Sequence, residues 1–161
     1  MPTIRDFDVV INKKYTMAVT GHRIIKDNIS KDILKVIFKN AILDGFDTFL
    51  VGMAVGFDTL CFNVLEEIRK ENNIRIIACI PCKNQDINFS ILQKKEYKRM
   101  VNSADERIVL SEKYTPYCML ERNKFMVDNC SLLLAYLREK KGGTYYTVNY
   151  AEKNGVFIKK I

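Results

Sequence analysis

Six short, almost wholly apolar runs recur along the chain, and each is followed by a helix-forming stretch or turn signal. The runs are Tyr15–Thr20, Thr48–Val51, Ile74–Ile80, Arg107–Leu110, Leu132–Tyr136 and Val156–Ile158. A strand with only one buried face alternates polar and apolar residues; a continuously apolar strand is covered on both faces. Helical segments are predicted between the runs. Over 31–43, Ile33, Leu34, Ile37, Phe38, Ala41 and Ile42 form a one-sided stripe behind a Ser30 cap. Further helices are predicted over about 57–70, from Ser90 to Val101, from Pro116 to Asn129 and from Gly142 to Lys153. Strands covered on both faces and alternating with helices predict an α/β chain. Its expected form is a Rossmann-like, doubly wound, mostly parallel sheet of about six strands with helices on both faces.

The length, 161 residues, suits one domain. Residues 15–161 are read as that domain and residues 1–14 as an N-terminal extension. Hydrophobic residues at 48% and charged residues at 28% exclude a disordered chain. No apolar run approaches the roughly 18–20 residues of a membrane span. Residues 1–8 carry acids and no apolar core, unlike a signal peptide. A cytoplasmic protein without membrane contact is expected. The net charge of +7 comes with 18 Lys and 18 Ile. That pairing suggests an AT-rich genome more than a functional basic face. Even the densest patch, Lys94-Lys95-Glu96-Tyr97-Lys98-Arg99, falls within a predicted helix. Because the excess is diffuse, nucleic acid is not the expected partner.

The odd count of five cysteines argues against a secreted disulfide framework. Cys79-Ile80-Pro81-Cys82 has C-x-x-C spacing but no second ligand pair for zinc, and Cys79 ends an apolar strand. Buried, structural thiols are expected. Neither a metal nor a cofactor is assigned.

In doubly wound folds, ligands bind beyond the carboxyl ends of the strands. Gly21-His22-Arg23 follows the first strand, and Gly52-Met53-Ala54-Val55-Gly56-Phe57-Asp58 follows the second. Pro81 to Asp86, with Gln85, follows the third, and Gly142-Gly143-Thr144 comes after the fifth. Glycines admit close backbone approach, helix N-termini offer free N–H groups, and Arg23 adds an anion ligand. Together these turns predict a phosphate or nucleotide pocket. A single such turn would show no more than tight strand-to-helix geometry. The glycines match neither a dinucleotide G-x-G-x-x-G fingerprint nor a P-loop. Met119, Arg122, Asn123 and Met126 share one helical face. On that face Arg122 meets an internal carboxylate, lies at the stripe's solvent edge or, with Asn123, meets the oxygens of a ligand. His22, the sole histidine, is either a general base or a turn residue with local hydrogen bonds.

Val19–Arg23, Gly52–Asp58, Pro81–Asp86, Cys118–Asp128 and Gly142–Thr144, in this order and spacing, resemble the SLOG superfamily. Within it they are most similar to the YpsA-like branch of small bacterial and phage-associated proteins. The resemblance covers residues 15–161, and Phe89 stands where a Trp is expected. It implies a Rossmann-like fold with a nucleotide-derived ligand, ADP-ribose-like or cyclic, at the strand ends. The implied ligand contacts are Gly21, His22, Arg23, Gly52, Met53, Ala54, Gly56, Asp58, Gln85, Arg122, Asn123, Met126, Gly142, Gly143 and Thr144. A homodimer is implied as well. LOG-type phosphoribohydrolases of the superfamily carry an Arg in a motif that Arg122 matches, and a Glu soon after the last glycine motif. Residues 142–150 contain no carboxylate. Only Asp58 or Glu152 could supply the acid–base group of a nucleotide N-glycosidic hydrolase. That absence favours binding, as sensing or sequestration, over hydrolysis. DNA binding in the DprA manner ranks third.

Overall fold

A computed structural model describes residues 4–5 and 9–161, the first two as backbone only. The elements are β1 (Ile4–Arg5), β2 (Thr16–Gly21), α1 (Lys31–Leu43), β3 (Thr48–Val51), α2 (Phe57–Arg69), β4 (Arg75–Ile80) and α3 (Ile91–Ser103). They continue with β5 (Glu106–Val109), α4 (Cys118–Asp128), β6 (Leu132–Tyr136), α5 (Gly142–Lys153) and β7 (Phe157–Lys160). The six predicted strands form a parallel sheet, and β1 pairs antiparallel with β5, giving the order β1-β5-β4-β3-β2-β6-β7. Ser30 caps α1 by accepting from Ile33 N. Ser90 and Gln93 close a reciprocal capping box on α3. The helix predicted to start at Pro116 begins at Cys118, because Cys118 N first closes a turn onto Thr115 O.

The strands alternate side chains between two cores. Met17, Val19, Phe49, Val51, Ile76 and Ala78 face α1, α2 and α3, where Leu34, Phe38, Leu65 and Met100 meet them. Ala18, Leu50, Ile77, Cys79 and Leu133 face the opposite way, towards Met126 and Val127 of α4 and Ala151 of α5. Val9 is buried in this second core, and Arg75 Nη2 donates to Val10 O, so these two residues pack against the sheet.

The chain lays β2, β3, β4 and β5 outward in one direction. It then returns through α4 to place β6 on the other side of β2. The strand order therefore reverses between β2 and β6. At such a switch the adjoining loops leave in opposite directions and open a crevice.

Candidate functional site

A cleft of about 370 Å³ opens at this reversal. Its wall takes Gly21, His22 and Arg23 from the turn after β2, and Gly52, Ala54 and Asp58 from the turn into α2. Arg122, Asn123 and Met126 of α4 close one side, and Gly143 and Thr144 bring in the N-terminus of α5. Eleven of the fifteen expected contacts thus meet in one place, drawn from four separate segments.

Arg122 is the centre of the arrangement. It is 4% exposed, and among the described residues no carboxylate pairs with it directly. Its Nη1 donates to Gly52 O and, at 3.3 Å, to Cys79 O. Its Nε donates to Asn123 Oδ1 at 2.8 Å, which orients that amide. Among the described residues Nη2 has only the Met119 sulfur, at 4.0 Å. The guanidinium is held by main-chain carbonyls and keeps one nitrogen without an oxygen partner among the described residues. Gly52 makes this possible. A Cβ there would sit 2.9 Å from Arg122 Cζ and 3.0 Å from Asp58 Oδ2.

Asp58, 6% exposed, accepts from Ala54 N at 3.1 Å through Oδ2. Burial pushes its carboxyl up to about 6, against the opposing pull of Arg122, the Ala54 hydrogen bond and Arg23. Burial also pulls the Arg122 pKa down, with Asp58 acting in the other direction. A guanidinium stays charged at neutral pH all the same. Arg23 is exposed at the rim, with no ion pair among the described residues. The cleft therefore combines two arginines, one carboxyl that titrates near neutrality and the positive end of α5.

Four expected contacts lie elsewhere. Gly56 (φ 84°) is spent on the protein's own backbone, since a Cβ there would come within 2.2 Å of Arg23 O. Met53 (φ 65°) is fully buried beneath the turn. Gly142 precedes the cleft without lining it, and Gln85 lines an adjoining cleft instead. Gly21 lies on the wall, but its bareness serves packing, since a Cβ would meet the Phe57 ring at 2.4 Å. His22 accepts through Nε2 from Arg138 N (2.8 Å) and Glu139 N (3.3 Å), tying the turns after β2 and β6 together. These bonds join two turns more than a hundred residues apart, so they are not the local hydrogen bonds expected of a turn residue, and they occupy Nε2. Glu152 does not line the cleft; it is paired with Lys160 of β7 at 3.4 Å. Asp58 is the only carboxylate among the lining residues.

Val19, Thr20, Met119 and Leu120 also line the cleft and were not among the expected contacts. Met119 shares the Arg122 stripe, and Thr20 immediately precedes Gly21. Those adjacencies were the available signals; none marked Leu120. Cys79 and Cys82 are buried, and desolvation pushes their thiols up to about 12 and about 11. Such thiols are poor nucleophiles.

Fold and cleft define a Rossmann-like domain with a cationic crevice at its strand-order reversal. The YpsA family, described as the YspA SLOG family, matches residues 11–159, and the chain belongs to it. It is 34% identical over 120 residues to the uncharacterized SPbeta prophage-derived protein YoqJ of Bacillus subtilis (strain 168), covering 65% of this chain and 69% of YoqJ. It is 25% identical over 114 residues to a UPF0398 protein of Lysinibacillus sphaericus (strain C3-41), covering 68% and 64% of the two chains. Among solved structures it resembles DNA processing protein A (DprA) of Streptococcus pneumoniae at 18% identity and a TM-score of 0.63. DprA of Helicobacter pylori resembles it at 16% and 0.67. Each likeness covers 90% of this chain, but the chain spans only 49% and 64% of those two proteins. Among the described residues no helix is long and apolar enough to cross a membrane.

Proposed function

We propose that this chain binds a nucleotide-derived small molecule by its phosphate in the cleft at the carboxyl edge of the sheet, and holds it without cleaving it. Family membership and the DprA likeness support a binding role related to nucleotides or DNA. The observation that carries the finer reading is Arg122. It is a buried guanidinium whose Nη2 has no oxygen partner among the described residues, in a cleft shared with Arg23 and the start of α5. A phosphate oxygen supplies that partner. The wall offers a single carboxylate, and Glu152 is turned to Lys160, which weighs against an N-glycosidic hydrolase. Asp58, titrating at about 6, is the lining carboxyl suited to acid–base work.

A second reading has its own support. The Helicobacter pylori neighbour binds single-stranded DNA. A strand phosphodiester would suit the same two arginines, so diffuse charge alone no longer argues nucleic acid away. One experiment separates the readings. Titrate the protein calorimetrically with AMP, ADP-ribose, adenosine and a short single-stranded oligonucleotide, then recover the small molecules and weigh them. Binding of the phosphates, none of adenosine, and intact recovery fit the proposal. Tighter binding of the oligonucleotide moves the function to nucleic acid. Free adenine, abolished by Asp58→Asn, makes the protein a hydrolase.

A further inference from the structure

We infer that the cleft adjoining the anion pocket is a base subsite for a purine bearing an exocyclic amino group, read by Gln85. The inference rests on the first cleft taking a nucleotide phosphate. The second cleft, of about 270 Å³, shares Arg23, Ala54 and Met119 with the first. A phosphate in one and a base in the other are therefore within the span of one nucleotide.

Gln85, in the turn after β4, is 5% exposed and lines this second cleft. Its Nε2 donates to Gly52 O at 3.0 Å. Flipping the amide would set two carbonyl-type oxygens against each other, so the orientation is fixed. Oε1 is left as the acceptor, and among the described residues it is a buried polar atom with no partner. An unmet buried acceptor is costly, and the group that cures it must donate. An amino group on a base edge donates; a bare ring nitrogen does not. Phe89 and Tyr114 line the same cleft, and aromatic rings are suitable packing partners for a planar base. Phe89 is held edge-on to Tyr97, with ring centroids 5.7 Å apart. Gly52 O accepts from Arg122 Nη1 as well as from Gln85 Nε2, so one carbonyl positions both the phosphate ligand and the base reader.

The test compares AMP, GMP and purine riboside 5′-monophosphate, which is AMP without its amino group. Calorimetry is run on the wild type, Gln85→Met and Arg23→Ala. The wild type is expected to bind AMP or GMP about tenfold tighter than the amino-free nucleotide, the equivalent of 1.4 kcal/mol. Gln85→Met erases that ratio, whereas Arg23→Ala weakens all three nucleotides and preserves it. Should Gln85→Met not fold, Gln85→Asn, with its shorter reach, takes its place. Equal wild-type affinities, or a ratio that survives loss of Gln85, overturn the base subsite. If Arg23→Ala still weakens binding in that case, the phosphate reading stands alone. If none of the nucleotides binds, or Arg23→Ala changes nothing, the phosphate reading fails and the base subsite with it.

Discussion

Asp58 gives the stability of this protein a pH dependence of unusual sign. Its carboxyl titrates at about 6 in the folded chain, against an ordinary 3.8. Below both values it is neutral folded and unfolded, and contributes nothing. Between them the folded state holds the proton more tightly, so stability falls as pH rises. Above about 6 the full penalty is present. At 1.36 kcal/mol per pH unit, the distance from 3.8 to about 6 amounts to about 3 kcal/mol. Glu66, Glu67, Glu96 and Glu139 run the other way, because their basic partners hold them below the usual range. Only a difference between two proteins isolates Asp58. The perturbation is Asp58→Asn, which keeps an oxygen for Ala54 N and cannot ionise. Near pH 4 it replaces one mostly neutral side chain by another. Between about pH 4 and about pH 7 the stability of the variant should gain on the wild type by about 2 kcal/mol, the part of the penalty that develops in that window. Urea unfolding at a series of pH values measures it. A stability difference that stays flat with pH would refute the reasoning: the carboxyl would be solvated and the cleft more open than described.

Arg122→Ala should weaken AMP by roughly 10- to 150-fold, the loss of a charge-assisted hydrogen bond of about 1.5–3 kcal/mol, and leave adenosine unchanged; titration calorimetry reads both. Gly52→Ala should remain folded by circular dichroism yet lose AMP affinity at least about tenfold, since its Cβ would intrude on Arg122 at 2.9 Å. Gly56→Ala should be unstable rather than a clean binding mutant. A positive φ with ψ at −120° costs a residue with a Cβ about 1–3 kcal/mol, before the clash with Arg23 O, and thermal unfolding will show it. A homodimer is proposed on the family resemblance. Light scattering at micromolar concentration should then exceed the 18.7 kDa of one chain, and a value equal to it counts against the dimer.

The sheet was legible because burial on both faces leaves a plain mark, a run such as Leu132–Tyr136 with no charged residue in it. β1 left no such mark. Two residues are too few for any period, and their pairing, Ile4 to Val109, exists only because β5 offers a free edge. The site was legible in its location but not in its division of labour. A glycine after a strand reads the same whether it clears room for a ligand or for another part of the chain. Gly52 clears room for Arg122, Gly56 for the Arg23 main chain and Gly21 for Phe57. Those differences depend on what lies across the turn, 30 to 70 residues away for the first two in sequence.

Arg122 shows the same limit at a single side chain. Its stripe with Met119 and Met126 showed that it is buried, and burial demands a partner. Beside the solvent edge of the stripe, which 4% exposure rules out, the alternatives from sequence were an internal carboxylate and a ligand. The structure supplies neither as a direct contact: the Gly52 and Cys79 carbonyls, which have no side-chain signature, take Nη1. A guanidinium held by neutral dipoles remains a net positive charge. Asp58, half neutralised near pH 6, offsets it only in part. An arriving phosphate would make up that deficit and would also favour the protonated form of Asp58. Binding of a fixed-charge ligand such as ADP-ribose should therefore take up protons near pH 6. Calorimetry in buffers of different ionisation heats would detect the uptake. Its absence in Asp58→Asn, with uptake intact in the wild type, would assign those protons to this carboxyl.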